Sequence, residues 1–292
     1  MATKNILWAH TITNIQENIL LGLARYKFLT SSQLLSFDIG TKHYPYLWKQ
    51  LVSLRDRNKP LIQCHNFPAP NPKKGRVESM YFLTKEGKRQ ILNNGFMSAE
   101  ETIKMPIGKT IAYKDYFHRK YTIDFQIQLD RWANTNNKTV DFFDTYFDKT
   151  GDNRTGKNLR AKTRIDFTGN AFFIPDGIFT VNGQLYLFEM YNGKDTGRVL
   201  EQLHKHAEAL TYRYTHKAYH LDTKKAYTTV LLFEFLSAKN ALLQRIQNEP
   251  SFEYICPYFL TKSLEELHQE LFMIWTDLNG VERQFLSEKN EN

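Results

Sequence analysis

Apolar and polar residues alternate at helical spacing through the first third of the chain. Ile15, Ile19, Leu20, Leu23 and Tyr26 recur every three or four positions, which predicts a helix capped by Asn14 and running to about Tyr26. Thr30 to Leu35 predicts a short second helix with a polar cap. A third helix begins after Thr41, with Pro45 tolerated in its first turn. Its apolar stripe is Tyr44, Leu47, Trp48, Leu51 and Leu54, and its opposite face carries Lys42, Tyr46, Lys49, Ser53 and Arg57. A strand over 61–67, a loop holding Lys73, Lys74 and Arg76, and a return strand over 77–83 lead into one more helix after Thr84. Residues 97–111 lack periodicity and contain Pro106 and Gly108, so they read as a linker between domains 1–96 and 112–292.

Strands enter the pattern after residue 112. A helix over 116–132 precedes a strand over 140–147, and two apolar runs then flank Asn182-Gly183. That dipeptide predicts a two-residue type I′ hairpin turn. A helix of about twenty residues starts near Thr196. A strand over 227–235, a helix over 237–247, a strand over 252–259 and a helix over 263–272 follow, and Asn279-Gly280 marks a second hairpin. The order predicts an α/β fold around a mixed sheet flanked by helices.

The first hairpin carries the chemistry. If its turn is tight, paired residue numbers sum to 365, and Asp176 lies across from Glu189 with Cβ atoms roughly 5 Å apart. Both strands are apolar on both faces, as in a sheet interior. Two carboxylates opposed there repel and resist desolvation unless a divalent cation, a shared proton or a basic neighbour compensates. Without metal, one of them should titrate with a raised pKa. Asp176 is alternatively a strand-start residue bonding nearby amides, and Glu189 alternatively pairs with Arg198 or Lys205.

Charge and composition narrow the partners. The 292 residues carry a formal charge of +8, with 41% hydrophobic and 14% aromatic residues, which fits packed cores. Residues 1–110 hold 16 Lys and Arg against 7 Asp and Glu, whereas the remainder holds 23 against 24. The positive excess lies wholly in the first third and points to a polyanion, most simply nucleic acid. A second basic run covers residues 149–164, where Arg154, Lys157, Arg160 and Lys162 are placed to clamp a phosphate backbone. Cys64 and Cys256 stand in no motif, so a reducing, cytoplasmic setting is expected. The first twenty residues lack the apolar centre of a signal peptide, and no apolar run approaches 18 residues, so no membrane partner is expected. His204 and His206, two apart, lie on different helix faces and make a poor metal pair. His216 and His220 read as surface residues.

Three helices and a two-stranded ribbon are the order of a winged helix-turn-helix, and Tyr81-Phe82-Leu83-Thr84-Lys85-Glu86-Gly87-Lys88 resembles the end of the wing in many DNA-binding proteins of that type. Pro175-Asp176 and Glu189-Met190-Tyr191 resemble the core of the PD-(D/E)xK, restriction-endonuclease-like fold, with Tyr191 where that fold usually has lysine. The chain as a whole resembles the replication-relaxation family of plasmids and other mobile elements. This rests on Phe82-Leu83-Thr84, on His118, on Pro175-Asp176-Gly177, and on Glu189 followed by Gly193 and Thr196. That family often has an acid two positions after the glutamate, and Tyr191 departs there too.

The resemblance implies binding of double-stranded DNA in replication or mobilisation. It also implies a Mg²⁺ or Mn²⁺ site at Asp176 and Glu189, impaired by Tyr191 unless Lys194 migrates into the lysine's role. Gln202 sits where some recombination nucleases of this fold place a functional glutamine. Two alternatives stand beside this reading. One is an active Mg²⁺-dependent endonuclease. The other is a non-enzymatic adaptor or transcriptional regulator that docks a replication initiator or relaxase. A homodimer, joined through the winged helix or the last hairpin, is a further expectation.

Overall fold

The structure, a computed structural model, describes residues 12–37, 39–68, 75–98, 101, 103–106, 111–151, 159–222, 224, 226–269 and 272–285. The chain divides into two compact units, residues 1–113 and 114–292.

The first unit contains α1 (Asn14–Tyr26), α2 (Ser31–Ser36), α3 (Tyr44–Arg55), β1 (Ile62–His65), β2 (Met80–Leu83) and α4 (Lys85–Asn93). Thr13, not Asn14, caps α1. Its hydroxyl accepts from the Gln16 amide while the Gln16 side chain accepts from the Thr13 amide, a closed capping box. Thr30 and Gln33 repeat the device at α2. β1 and β2 pair antiparallel over fewer residues than expected, Ile62 opposite Leu83 and His65 opposite Met80. Leu29 joins them through one antiparallel bridge to Tyr81. Ile19, Leu20 and Leu23 of α1, Leu47, Leu51 and Leu54 of α3 and Ile62 of β1 are all buried.

The apolar stripe of α3 is narrower than its sequence suggested. Tyr44 is 51% exposed and Trp48 42%, and among the stripe residues only the three leucines are buried. At 3.6 residues per turn the leucines share one sector, and Tyr44 and Trp48 fall on its flank. Arg57 also departs from the outward face. Its Nη2 donates to Gln16 Oε1 at 3.2 Å and its Nε to the Ser53 carbonyl, tying α3 to α1.

The second unit begins with α5 (Tyr116–Thr135) and β3 (Val140–Thr145). Two short antiparallel pairs follow, β4 (Lys149–Thr150) with β5 (Arg160–Ala161) and β6 (Ile165–Asp166) with β7 (Phe172–Phe173). Then come β8 (Gly177–Val181), β9 (Gln184–Tyr191), α6 (Thr196–Thr211), α7 (Tyr214–Ala218), β10 (Thr228–Phe233), α8 (Leu236–Ile246), β11 (Phe259–Ser263), α9 (Leu264–Gln269), β12 (Ile274–Asp277) and β13 (Glu282–Gln284). Seven strands form one mixed sheet in the order β13-β12-β11-β10-β9-β8-β3. β9, β10 and β11 run parallel and the other neighbours antiparallel. The unit is thus an α/β fold.

β9 lies inside the sheet, and its two faces feed different cores. Tyr186, Phe188 and Met190 pack with Phe125 and Trp132 of α5. Phe125 stacks on Phe188 with ring centroids 4.2 Å apart. On the other face, Leu187 packs with Ala209 and Leu210 of α6, and Tyr191 with Leu200 and Leu203.

Two expected elements and one residue differ. The apolar run over 252–259 forms tight turns at 250–252 and 256–258, and the strand starts only at Phe259. Pro250 and Pro257 lack the amide that a ladder needs. The long helix after Thr196 breaks at Arg213, which adopts left-handed φ 58° between α6 and α7. His216 is buried rather than exposed, its ring 5.3 Å from that of Tyr227. Among the described residues no helix is long and apolar enough to cross a membrane.

Candidate functional site

The β8–β9 turn sets the site. Asn182 and Gly183 both have positive φ, 49° and 73°, as a type I′ turn demands. The strands pair Val181 with Gln184, Ile178 with Leu187 and Gly177 with Phe188. One step beyond the last pair lie Asp176 and Glu189. Gly177 is small for a reason, since a Cβ there would sit 3.0 Å from the Phe143 ring and 3.3 Å from Phe188 Cβ. The residues before it are anchored by long-range bonds. Thr163 Oγ1 donates to the Pro175 carbonyl at 2.6 Å, and the Tyr146 amide to the Asp176 carbonyl at 3.0 Å.

Both acids are buried, at 8% and 4% exposure. Asp176 Oδ2 accepts from the cross-strand amide of Met190 at 2.7 Å and from His118 Nε2, in the first turn of α5, at 2.9 Å. His118 Nδ1 lies 3.2 Å from the Tyr146 hydroxyl. Burial works against the His118 imidazolium, but the Asp176 carboxylate outweighs it and holds that pKa above the usual value. Glu189 Oε1 lies 2.6 Å from Nε2 of His206 on α6. His206 is 1% exposed, and burial drives its pKa down to about 3, so it is a neutral partner. Its Nδ1 has no hydrogen-bond partner among the described residues. The tautomer that strands no buried N–H therefore has Nε2–H donating to Glu189.

Glu189 itself is held well above the usual carboxylate range, first by desolvation and then by the charge of Asp176, with which its carboxyl hydrogen-bonds. Like charges forced together in low dielectric favour the protonated form of a carboxyl, which is why Asp176 adds to the rise at Glu189.

Both carboxyls line a cavity of about 610 Å³. Lys114, His118 and Arg198 bring basic groups to the same walls, and Gln202 of α6 lines it too. Tyr191, two residues after Glu189 on the same strand face, is 8% exposed and lines the cavity. Its hydroxyl has no hydrogen-bond partner among the described residues. Burial and the two nearby acids push its pKa up, so the hydroxyl is a neutral donor and neither a base nor a phenolate.

Two carboxyl groups facing one polar cavity are hard oxygen donors of the kind that hold Mg²⁺ or Mn²⁺ through one or two protein ligands, water and substrate oxygens. Among the described residues no group of three or more His, Cys, Asp or Glu is arranged as a metal cage.

Other residues singled out from the sequence lie apart from this cavity. Lys194 is exposed, with Nζ 5.3 Å from the centre of the Phe235 ring, and it is not among the lining residues. Arg198 lines the cavity and Lys205 is exposed, but the direct partner of Glu189 is His206 instead. Lys162 pairs with Asp144 at 2.8 Å, and Arg160 lies exposed on β5. Arg154, Lys157, Lys73 and Lys74 fall outside the described residues. In the first unit, Lys42, Tyr46, Lys49 and Arg76 are all exposed.

Sequence reasoning missed the role of His206, although a signal was present. Val199, Leu203, His206 and Leu210 are spaced four, three and four apart, which puts a histidine on the buried stripe of the helix that follows the acid-bearing strand. His118 was visible as a motif residue, but its contact with Asp176 joins residues far apart in the chain and has no local signature. No protein-family model, no curated protein and no solved structure matches this chain.

Proposed function

We propose that this chain is a cytoplasmic DNA-binding protein of a plasmid or mobile element, acting in replication or mobilisation. Its amino-terminal unit is a winged helix-turn-helix that grips duplex DNA, and its carboxy-terminal unit is a nuclease-like domain of the replication-relaxation type with an impaired hydrolytic centre. One observation carries the reading. α3 begins only at Tyr44, so its solvent side displays Tyr46 and Lys49 while Lys42 lies exposed two residues before it, all in the unit that holds the whole positive excess of the chain. The element order supports it: α1, the Leu29 bridge, α2, α3 and the β1–β2 ribbon. A helix of this kind fits the major groove, and Arg76, exposed in the connection between β1 and β2, suits backbone phosphate. Asp176 and Glu189 would hold Mg²⁺ or Mn²⁺, which supplies charge stabilisation at a phosphate. Tyr191 offers a hydrogen bond there without the lysine's permanent charge.

Titration of a fluorescent duplex with the full chain at increasing salt tests the reading. Binding is expected to weaken steeply with salt, and Lys49→Ala to lower affinity a few-fold and reduce the salt slope by about one. Absence of duplex binding at low salt would overturn it.

An active metal-dependent endonuclease is the second reading. It is favoured by Lys114 and Arg198, which line the same cavity as the two acids.

A further inference from the structure

We propose that the Tyr44–Trp48 edge of α3 is a stacking platform for unpaired nucleotide bases, so that the amino-terminal unit prefers locally melted DNA to intact duplex. The proposal rests on the DNA-binding reading and specifies the state of the DNA.

Tyr44 and Trp48 are four residues apart on one helix edge, a rise of about 6 Å. They are 51% and 42% exposed, large rings left in water on a helix whose leucines are sealed. Arg55, seven residues after Trp48, lies on the same edge. Its guanidinium sits over the Trp48 ring, 6.0 Å from the centroid. Arg55 also donates through Nε to Asp56 Oδ1 at 2.9 Å. The indole thus has a cation beside it, and Trp48 remains two-fifths exposed.

Paired bases offer a helix only their edges, which are read by polar groups and by small apolar contacts to thymine methyls. Their faces are already stacked on one another. Unpaired bases expose their faces, and aromatic rings bordered by cations are what binds them without regard to sequence. Lys49, exposed on the same helix, and Lys42, exposed just before it, supply the phosphate contacts. The occupant is nucleic acid rather than a second copy of this chain. A two-fold self-contact through this face would set Lys42, Lys49 and Arg55 against their own images.

Anisotropy titrations of the full chain with a labelled duplex, the same duplex carrying a central unpaired bubble, and a single strand test this directly. The bubble and the single strand should bind more tightly than the duplex. Trp48→Ala should remove that advantage, a loss of about ten-fold, while duplex affinity stays within about two-fold. Trp48→Phe should keep most of it. Equal affinity for bubble and duplex, or an equal loss for both in Trp48→Ala, overturns the platform and leaves the DNA-binding reading intact. So does a change of solution mass in Trp48→Ala, which would make this edge a contact between copies. No binding to any of the three DNAs overturns both.

Discussion

The outer side of α3 and the cleft beside β9 use opposite physics. On α3 the candidate groups stand in water, with Tyr44, Tyr46 and Trp48 each more than two-fifths exposed. In the cleft Asp176, Glu189 and His206 are at most 8% exposed and bonded to one another. Charges in water are screened and cheap to alter, so a surface such as α3 can be rewritten residue by residue without threat to the fold. Charges in a dry cleft interact strongly and cannot be changed singly, because each partner left behind is a buried unpaired group. Under the proposed function, recognition falls where substitution is easy and chemistry where geometry is over-determined.

The largest test of that contrast removes the support under the cleft. Phe125 packs on Phe188, Phe179 and Trp275 and is fully buried. Phe125→Ala should destabilise the second unit by about 3–5 kcal/mol in urea titrations. Duplex affinity should survive wherever that unit has melted. A parallel loss of DNA binding would show that the two regions do not act separately.

A smaller effect is expected from restoring charge to the cleft. Tyr191→Lys sets a cation beside Asp176 and Glu189 and should raise Mg²⁺-dependent nicking of supercoiled plasmid about 10²-fold over the native chain. Adding Asp176→Ala should abolish it. Nicking by the native chain at the level of Tyr191→Lys would favour the active-endonuclease reading, and nicking that survives Asp176→Ala would remove this cleft from the chemistry.

The smallest effect concerns proton linkage. Glu189 has a folded pKa raised above its unfolded value, so the native state holds that proton more tightly. Its stabilising contribution is fully present below the unfolded pKa and is lost as pH rises through the folded one. Glu189→Gln cannot ionise. Relative to the native chain it should gain about 2–4 °C in Tm at pH 8 and change little at pH 5. Matching pH profiles for the two proteins would show that the carboxyl pair carries no strain.

Much of this was legible from short-range signals. Helical spacing found α1 to α3, Asn182-Gly183 fixed the hairpin, and the hairpin's parity alone put Asp176 across from Glu189. Local patterns failed where proline or crossing angles decided. The 252–259 run is apolar enough for a strand, yet Pro257 inside it and Pro250 just before it turn it. The α3 stripe looked five residues wide because spacing cannot say how broad a sector a partner helix covers.

By itself, then, the sequence determined the elements, the carboxylate pair and the uneven charge, because periodicity, turn chemistry and composition act over a few residues. Only the tertiary structure decided who answers those carboxylates. His118 reaches Asp176 from another element, and His206 reaches Glu189 from 17 residues away on α6. Such contacts depend on how a helix lies against a sheet, and that is settled by the summed packing of Phe125, Phe188, Leu200 and Leu203 rather than by any residue's neighbours in the chain.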